Sequence, residues 1–233
     1  MASSVIVLAG ESNSGKSTSF KYLNPEHTAI ISCTNKQLQI PGFRKKYQKM
    51  TVEDGKLVGN WIVSNNYDQI TKMLLAISKT RMDINTIIID DINYLMSNEI
   101  MQNALVKGFE KFTTQAKNYY DMFSTAQSLR DDLTVVLVSH IVNDGTDIDP
   151  HYKLYSSGKM LDRTVNLDGL FSYIIYSERY VGDDDEVHYR FKTRTDGNDT
   201  CRSVAGCFED KYIEPNLQFV IDTINKFENG IDE

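Results

Sequence analysis

Gly10-Glu11-Ser12-Asn13-Ser14-Gly15-Lys16-Ser17 places two glycines, a lysine and a hydroxyl at the spacing of a phosphate-binding loop. Glycine lets the backbone curl until successive N–H groups point inward, and a helix beginning near Lys16 would add positive potential to that cradle. Lys16 then supplies a point charge for β- and γ-phosphates, and Ser17 a hydroxyl for magnesium. The expected nucleotide-binding residues are Gly10, Ser12, Asn13, Ser14, Gly15, Lys16, Ser17 and Thr18.

A second segment, Ile87-Ile88-Ile89-Asp90-Asp91, ends an apolar run in two acids. Ligands gather at the carboxyl ends of parallel strands, so Asp90 is expected to hold the magnesium shell. Asp91 either orients the attacking water or caps the following helix. His140 ends another apolar run and is expected on the same rim, as a γ-phosphate sensor or as a satisfied structural histidine. Lys159 and Arg163 sit in an expected loop. In a ring or filament either would reach a neighbour's γ-phosphate; otherwise they belong to a solvated charged loop. With Lys16, Asp91 and His140 they make up the expected catalytic set.

Phe43-Arg44-Lys45-Lys46-Tyr47-Gln48-Lys49 interleaves cations with rings. Arg44, Lys45, Lys46 and Lys49 suit the phosphates of single-stranded DNA and the rings suit base stacking, with an ordinary wet surface as the alternative. Asp183-Asp184-Asp185-Glu186 reads as a solvated hairpin tip, because contiguous acids lack the alternating spacing of a calcium loop.

The elements that must position these groups are visible as hydrophobic patterns. Val5–Ala9, 28–33, Thr86–Asp90 and Thr134–Ser139 are continuous apolar runs, as strands buried on both faces of a parallel sheet are. Helical spacing appears at Ile70, Met73, Leu74 and Ile77, with Asp68 as the expected cap, and again at Leu217, Val220, Ile221 and Ile224. A long helical region is expected from Asn98 to Gln127, with Leu105, Phe109 and Phe112 as its core stripe. Residues 171–181 and 187–194 read as an antiparallel hairpin appended to the sheet. The stretch from Thr34 to Asn60 carries Pro41-Gly42 and reads as a long loop or small insertion.

The chain has 233 residues, enough for one sizeable core, and shows no repeat or linker, so residues 1–233 are read as a single domain. A net charge of −7 argues against a globally basic nucleic-acid binder, so any DNA contact must be local. Three cysteines, Cys33, Cys201 and Cys207, without paired metal spacing suit a reducing cytoplasm and make zinc unexpected. The N-terminal apolar run has no basic leader and is broken well before membrane-spanning length; no membrane contact is expected.

Taken together, the phosphate loop, Lys36 and Pro41, Ile87–Tyr94, Val138-Ser139-His140, Gly158–Asp162, Gly169-Leu170-Phe171 and Pro215-Asn216-Leu217 resemble phage-encoded AAA/RecA-like ATP-binding proteins. The resemblance covers nearly the whole chain. It implies an α/β RecA-like P-loop NTPase core with a mostly parallel sheet flanked by helices. It further implies ATP and Mg2+ as ligands, homo-oligomerisation, and an ATPase role in phage DNA replication or recombination with single-stranded DNA as partner. The chain departs from that pattern in three places. Ile141-Val142-Asn143 stands where a Glu is expected after His140, and Arg202-Ser203-Val204 where a Lys-Ser-Pro-like segment is expected. Ser32–Lys36 offers no acid where a RecA-like core carries a catalytic Glu, so Asp91 must act instead or hydrolysis is weak. A nucleotide-type kinase and an ATP-gated adaptor with little turnover are the rival readings.

Overall fold

The computed structural model describes residues 3–156 and 166–230. Strand β1 (Ser4–Ala9) runs into the Gly10–Lys16 loop, a 3-10 helix (Ser17–Tyr22) and β2 (Thr28–Ser32). A short helix α1 (Phe43–Lys46), a hairpin of β3 (Thr51–Glu53) and β4 (Lys56–Val58), and β5 (Trp61–Val63) follow. Next come α2 (Tyr67–Thr80), β6 (Thr86–Asp90), α3 (Asn93–Gln102), α4 (Glu110–Gln127) and β7 (Thr134–Ser139). A hairpin of β8 (Ile141–Asn143) and β9 (Tyr152–Leu154) precedes β10 (Tyr173–Val181), β11 (Val187–Lys192), β12 (Tyr212–Ile213) and α5 (Leu217–Glu228).

The main sheet has eight strands in the order β12-β11-β10-β1-β7-β6-β2-β5. Every neighbouring pair from β10 to β5 is parallel. The antiparallel pairing of β10 with β11 matches the expected hairpin, but β10 also lies parallel to β1 and belongs to the central sheet.

Continuous apolar runs make sense of this layering, because alternate side chains serve opposite faces. Val7, Ala9, Ile87, Ile89, Val135 and Leu137 pack with Ile70 and Leu74 of α2 and Tyr119 and Phe123 of α4. Ile6, Leu8, Ile88, Val136 and Val138 pack on the other face with Phe20 and with Leu217, Val220, Ile221 and Ile224 of α5. Each Val, Leu, Ile or Phe side chain among them contributes about 1.5–3 kcal/mol when fully buried.

Local chemistry sets several boundaries differently from the sequence expectations. The cap of α2 is Asn66, whose side chain accepts from Gln69 N at 3.0 Å, and Asp68 lies inside the first turn. The helix expected at Lys16 is a six-residue 3-10 turn. Ser17-Thr18-Ser19 is a poor helix nucleus, Ser19 Oγ bonds back to Lys16 O at 2.6 Å, and Pro25 follows closely. The long helical region is two helices, broken by the segment from 103 to 109, in which Gly108 adopts a φ of +99° just before α4. Leu105 and Phe109 therefore stand on the surface, 96% and 81% exposed, and Phe112 is also exposed. The buried stripe of α4 is Gln115, Tyr119, Met122, Phe123 and Ala126. No helix among the described residues is long and apolar enough to cross a membrane.

Candidate functional site

Parallel register brings the expected residues to one edge of the sheet. Ala9 pairs with Ser139 across β1 and β7, and Ser32 pairs with Asp90 across β2 and β6. The Gly10–Ser17 loop, the segment after β2, Asp91 and His140 thus leave the strands on the same rim. They line a cavity of about 180 Å³ together with Gln39 and Tyr94.

The loop conformation follows from its residues. Asn13 and Gly15 take φ of +63° and +96°, a region open to glycine and tolerated by asparagine. Gly10 has no room for a side chain: a Cβ there would meet the Ser177 carbonyl and come within 2.6 Å of Ser14 Oγ. Ser177, on β10, also donates to Ser14 O at 2.7 Å, so the last parallel strand buttresses the loop. Ser14 Oγ is buried and has no hydrogen-bond partner among the described residues.

Lys16 is 6% exposed, and its ammonium donates to Gly10 O at 2.8 Å and Glu11 O at 2.6 Å. Burial pushes its pKa down to about 8, against the opposing pull of Asp91 and Asp90. Ser17 Oγ donates to Asp90 Oδ1 at 3.5 Å. Burial, aided by the neighbouring Asp91 charge, pushes Asp90 up to about 7.

Asp91 is different. Its φ is +61°, which swings the carboxylate out of the strand. Oδ2 accepts from Lys36 Nζ at 3.3 Å and Thr34 Oγ1 at 3.4 Å, while Oδ1 lies 3.6 Å from His140 Nε2. Burial acts to raise its pKa, but His140 and Lys36 outweigh that and hold the carboxyl below the usual range. The start of α3 has no side-chain cap, so the helix-capping alternative for Asp91 does not describe this chain.

Asn93 is a site residue that the sequence reading did not single out. Its Oδ1 accepts from His140 N at 2.6 Å and Ser139 Oγ at 3.3 Å, and its Nδ2 donates to Tyr155 O at 3.2 Å. It ties the end of β7 to the start of α3, and its place three residues after Asp90 was the available signal. Thr34 and Lys36 occupy the position where an acid was sought after β2. Asn143 stands near the expected Glu position after His140 and closes the β8–β9 hairpin, accepting from Gly145 N at 2.9 Å and His151 N at 3.0 Å.

The basic cluster separates into two kinds of residue. Arg44, Lys45, Lys46 and Lys49 are exposed. Tyr47 is buried, and Phe43 packs edge-on against Trp61 at 5.3 Å, so these rings serve the core and not base stacking. Lys159 and Arg163 lie outside the described residues.

No family model and no curated protein matches the chain. What the site can do therefore follows from its own geometry. An anion in the cavity would meet the Gly10–Ser17 loop and Lys16, with Lys36, His140 and the Asp91 carboxylate also on its walls.

Magnesium takes oxygen ligands, commonly one or two carboxylates plus phosphate oxygens and water. Ser17 Oγ and Asp90 fit that donor set. No cluster of three His, Cys, Asp or Glu side chains able to hold a metal is found among the described residues, so phosphate oxygens would have to complete the shell.

Proposed function

We propose that this chain is a magnesium-dependent ATP-binding protein and ATPase of RecA-like architecture, acting in phage DNA replication or recombination in the host cytoplasm. The observation that carries the reading is the convergence of Lys16, Asp90 and Asp91 at one rim, from loop and strand positions about seventy-five residues apart, with Lys16 and Asp91 lining a small polar cavity and Asp90 buried beside them. Strand order supports it as well. Because β7 lies between β1 and β6, His140 emerges between the phosphate loop and the paired acids, where a γ-phosphate would lie.

In this reading the loop cradles the β-phosphate, and Lys16 leaves Gly10 O and Glu11 O to bind the β- and γ-oxygens. Ser17 and Asp90 hold magnesium, which when bound neutralises phosphate charge. Asp91 positions the attacking water, with its own orientation fixed by Lys36 and His140. Asn93 fixes the backbone of His140, the residue that senses the γ-phosphate. ATP at a subunit boundary would then govern homo-oligomer assembly and contact with single-stranded DNA through Arg44, Lys45, Lys46 and Lys49.

A second reading, an ATP-gated assembly or adaptor protein with slow turnover, is favoured by one observation. Both Asp91 oxygens already face partners, Lys36 and Thr34 on one and His140 on the other, which hold the carboxyl below the usual range and so lower its basicity, and Thr34 and Lys36 stand where an acid would assist. Measuring magnesium-dependent ATP hydrolysis with and without single-stranded DNA, at low and moderate salt, separates the two. Turnover stimulated by DNA and suppressed by salt supports the recombination-type ATPase. Bound ATP with negligible turnover supports the adaptor.

A further inference from the structure

Lys36 stands where an acid was sought after β2, and its ammonium is only partly engaged. It donates to Asp91 Oδ2 at 3.3 Å, and Asp91 is its only hydrogen-bond partner among the described residues. An ammonium carries three donors, so two remain open. The Lys36 side chain is 52% exposed whereas that of Asp91 is 5% exposed, which puts the cation on the open side of the pair.

Lys36 and Lys16 line the same cavity of about 180 Å³. Burial is the main cause that depresses the Lys16 pKa; Asp91 and Asp90 oppose it, and the Lys36 charge depresses it further. The two ammoniums are thus close enough to repel each other across the cavity, a strain that a polyanion between them relieves. Pockets that enclose a drug-sized ligand hold roughly 300–1,000 Å³. This smaller one suits phosphate groups and not a whole nucleotide.

Sheet order sets the direction in which a polyphosphate would meet them. Across the rim from the Gly10–Ser17 loop come β7, then β6, then β2. Neighbouring strands lie about 4.8 Å apart, so β2 ends roughly 14 Å from β1. Lys36, four residues beyond β2, therefore approaches the cavity from the side opposite the loop. A polyphosphate whose inner groups sit in the loop presents only its outermost group to Lys36, and a diphosphate held there ends short of it.

We propose that Lys36 is the residue that distinguishes a nucleoside triphosphate from a diphosphate, donating to a γ-phosphate oxygen while it keeps its bond to Asp91. The assignment rests on the phosphate-loop reading above. A charge-assisted hydrogen bond of this kind is stronger than a neutral one, and a diphosphate offers no oxygen to make it. The same ammonium that reads the terminal phosphate then draws the Asp91 carboxylate toward it.

Calorimetric titration of the full chain with Mg-ADP and with the magnesium complex of the non-hydrolysable β,γ-imido analogue of ATP tests this. Lys36→Met should weaken the triphosphate by about tenfold or more and leave ADP within about twofold of wild type. Lys36→Arg, which keeps a cation, should retain most of the triphosphate affinity, with thermal melting confirming that each variant is folded. A lysine that only orients Asp91 would leave both affinities unchanged in Lys36→Met. That result, or equal weakening of both ligands, overturns the proposal. Lys16→Ala separates the underlying reading: it should weaken both nucleotides, and unchanged affinity for both removes the phosphate-loop assignment together with this one. Weakening of both by Lys16→Ala with no selective loss in Lys36→Met removes the role of Lys36 alone.

Discussion

Asp90 and Asp91 are adjacent in sequence, yet their carboxylates occupy opposed settings: Asp90 accepts from Ser17 and burial pushes its pKa up to about 7, while Asp91 lies between His140 and Lys36, which hold its carboxyl below the usual range. The backbone turn at Asp91 separates them. One is suited to meet a cation, the other to fix the position of a neighbour.

Asp91→Asn should preserve the fold, since asparagine tolerates a φ of +61°. Loss of the charge should lower ATP turnover by about a hundredfold or more while nucleotide affinity changes little. Steady-state hydrolysis alongside equilibrium binding checks this, and full turnover in the variant would exclude Asp91 from the chemistry. Asp91→Val, which cannot take that backbone angle cheaply, should cost about 1–2 kcal/mol in urea unfolding.

Lys16→Met should abolish ATP binding with little loss of stability. The buried ammonium makes only two hydrogen bonds to loop carbonyls, and an apolar side chain of similar length removes its desolvation cost. Melting temperature and titration calorimetry report the two effects independently. Tight ATP binding by the variant contradicts the cradle.

Nucleotide affinity should fall as pH rises above about 8, where the free-state ammonium of Lys16 loses its proton. Binding a polyphosphate restores the charged form, so the bound-state pKa is the higher one and binding takes up a proton. Affinity is therefore flat below the free-state pKa and declines by about tenfold per pH unit between the two values. Calorimetry in buffers of different ionisation enthalpy should detect that proton; pH-independent binding through this range argues that Lys16 does not touch the ligand.

Asn93→Ala should destabilise the chain by about 1–3 kcal/mol, because it strips the His140 N–H of its acceptor, while the Ser139 hydroxyl keeps the His140 carbonyl. If His140 acts on the γ-phosphate, the same change should depress turnover more than ATP affinity. Asn93→Asp keeps the acceptor and should recover part of the stability. A variant as stable as wild type would show that water replaces the amide.

Much of this molecule was legible in the residues themselves. The loop from Gly10 to Ser17 is a contiguous motif, and runs such as Val5–Ala9 and Thr134–Ser139 declare strands buried on both faces, because those signals reside in neighbours along the chain. Local pattern also misled where the helix breaks: α3 ends at Gln102 and α4 begins at Glu110, so Leu105 and Phe109 fall in the connection, with Gly108 at a φ of +99°, and stand exposed although their spacing is helical. Strand order was the larger unknown. Only the folded sheet sets β7 between β1 and β6, brings Lys36 and Thr34 onto Asp91, and lays Tyr189 against Gly15. Those pairs lie tens to hundreds of residues apart, and their meeting depends on which strand edges pair, which hydrophobic periodicity within each strand does not encode.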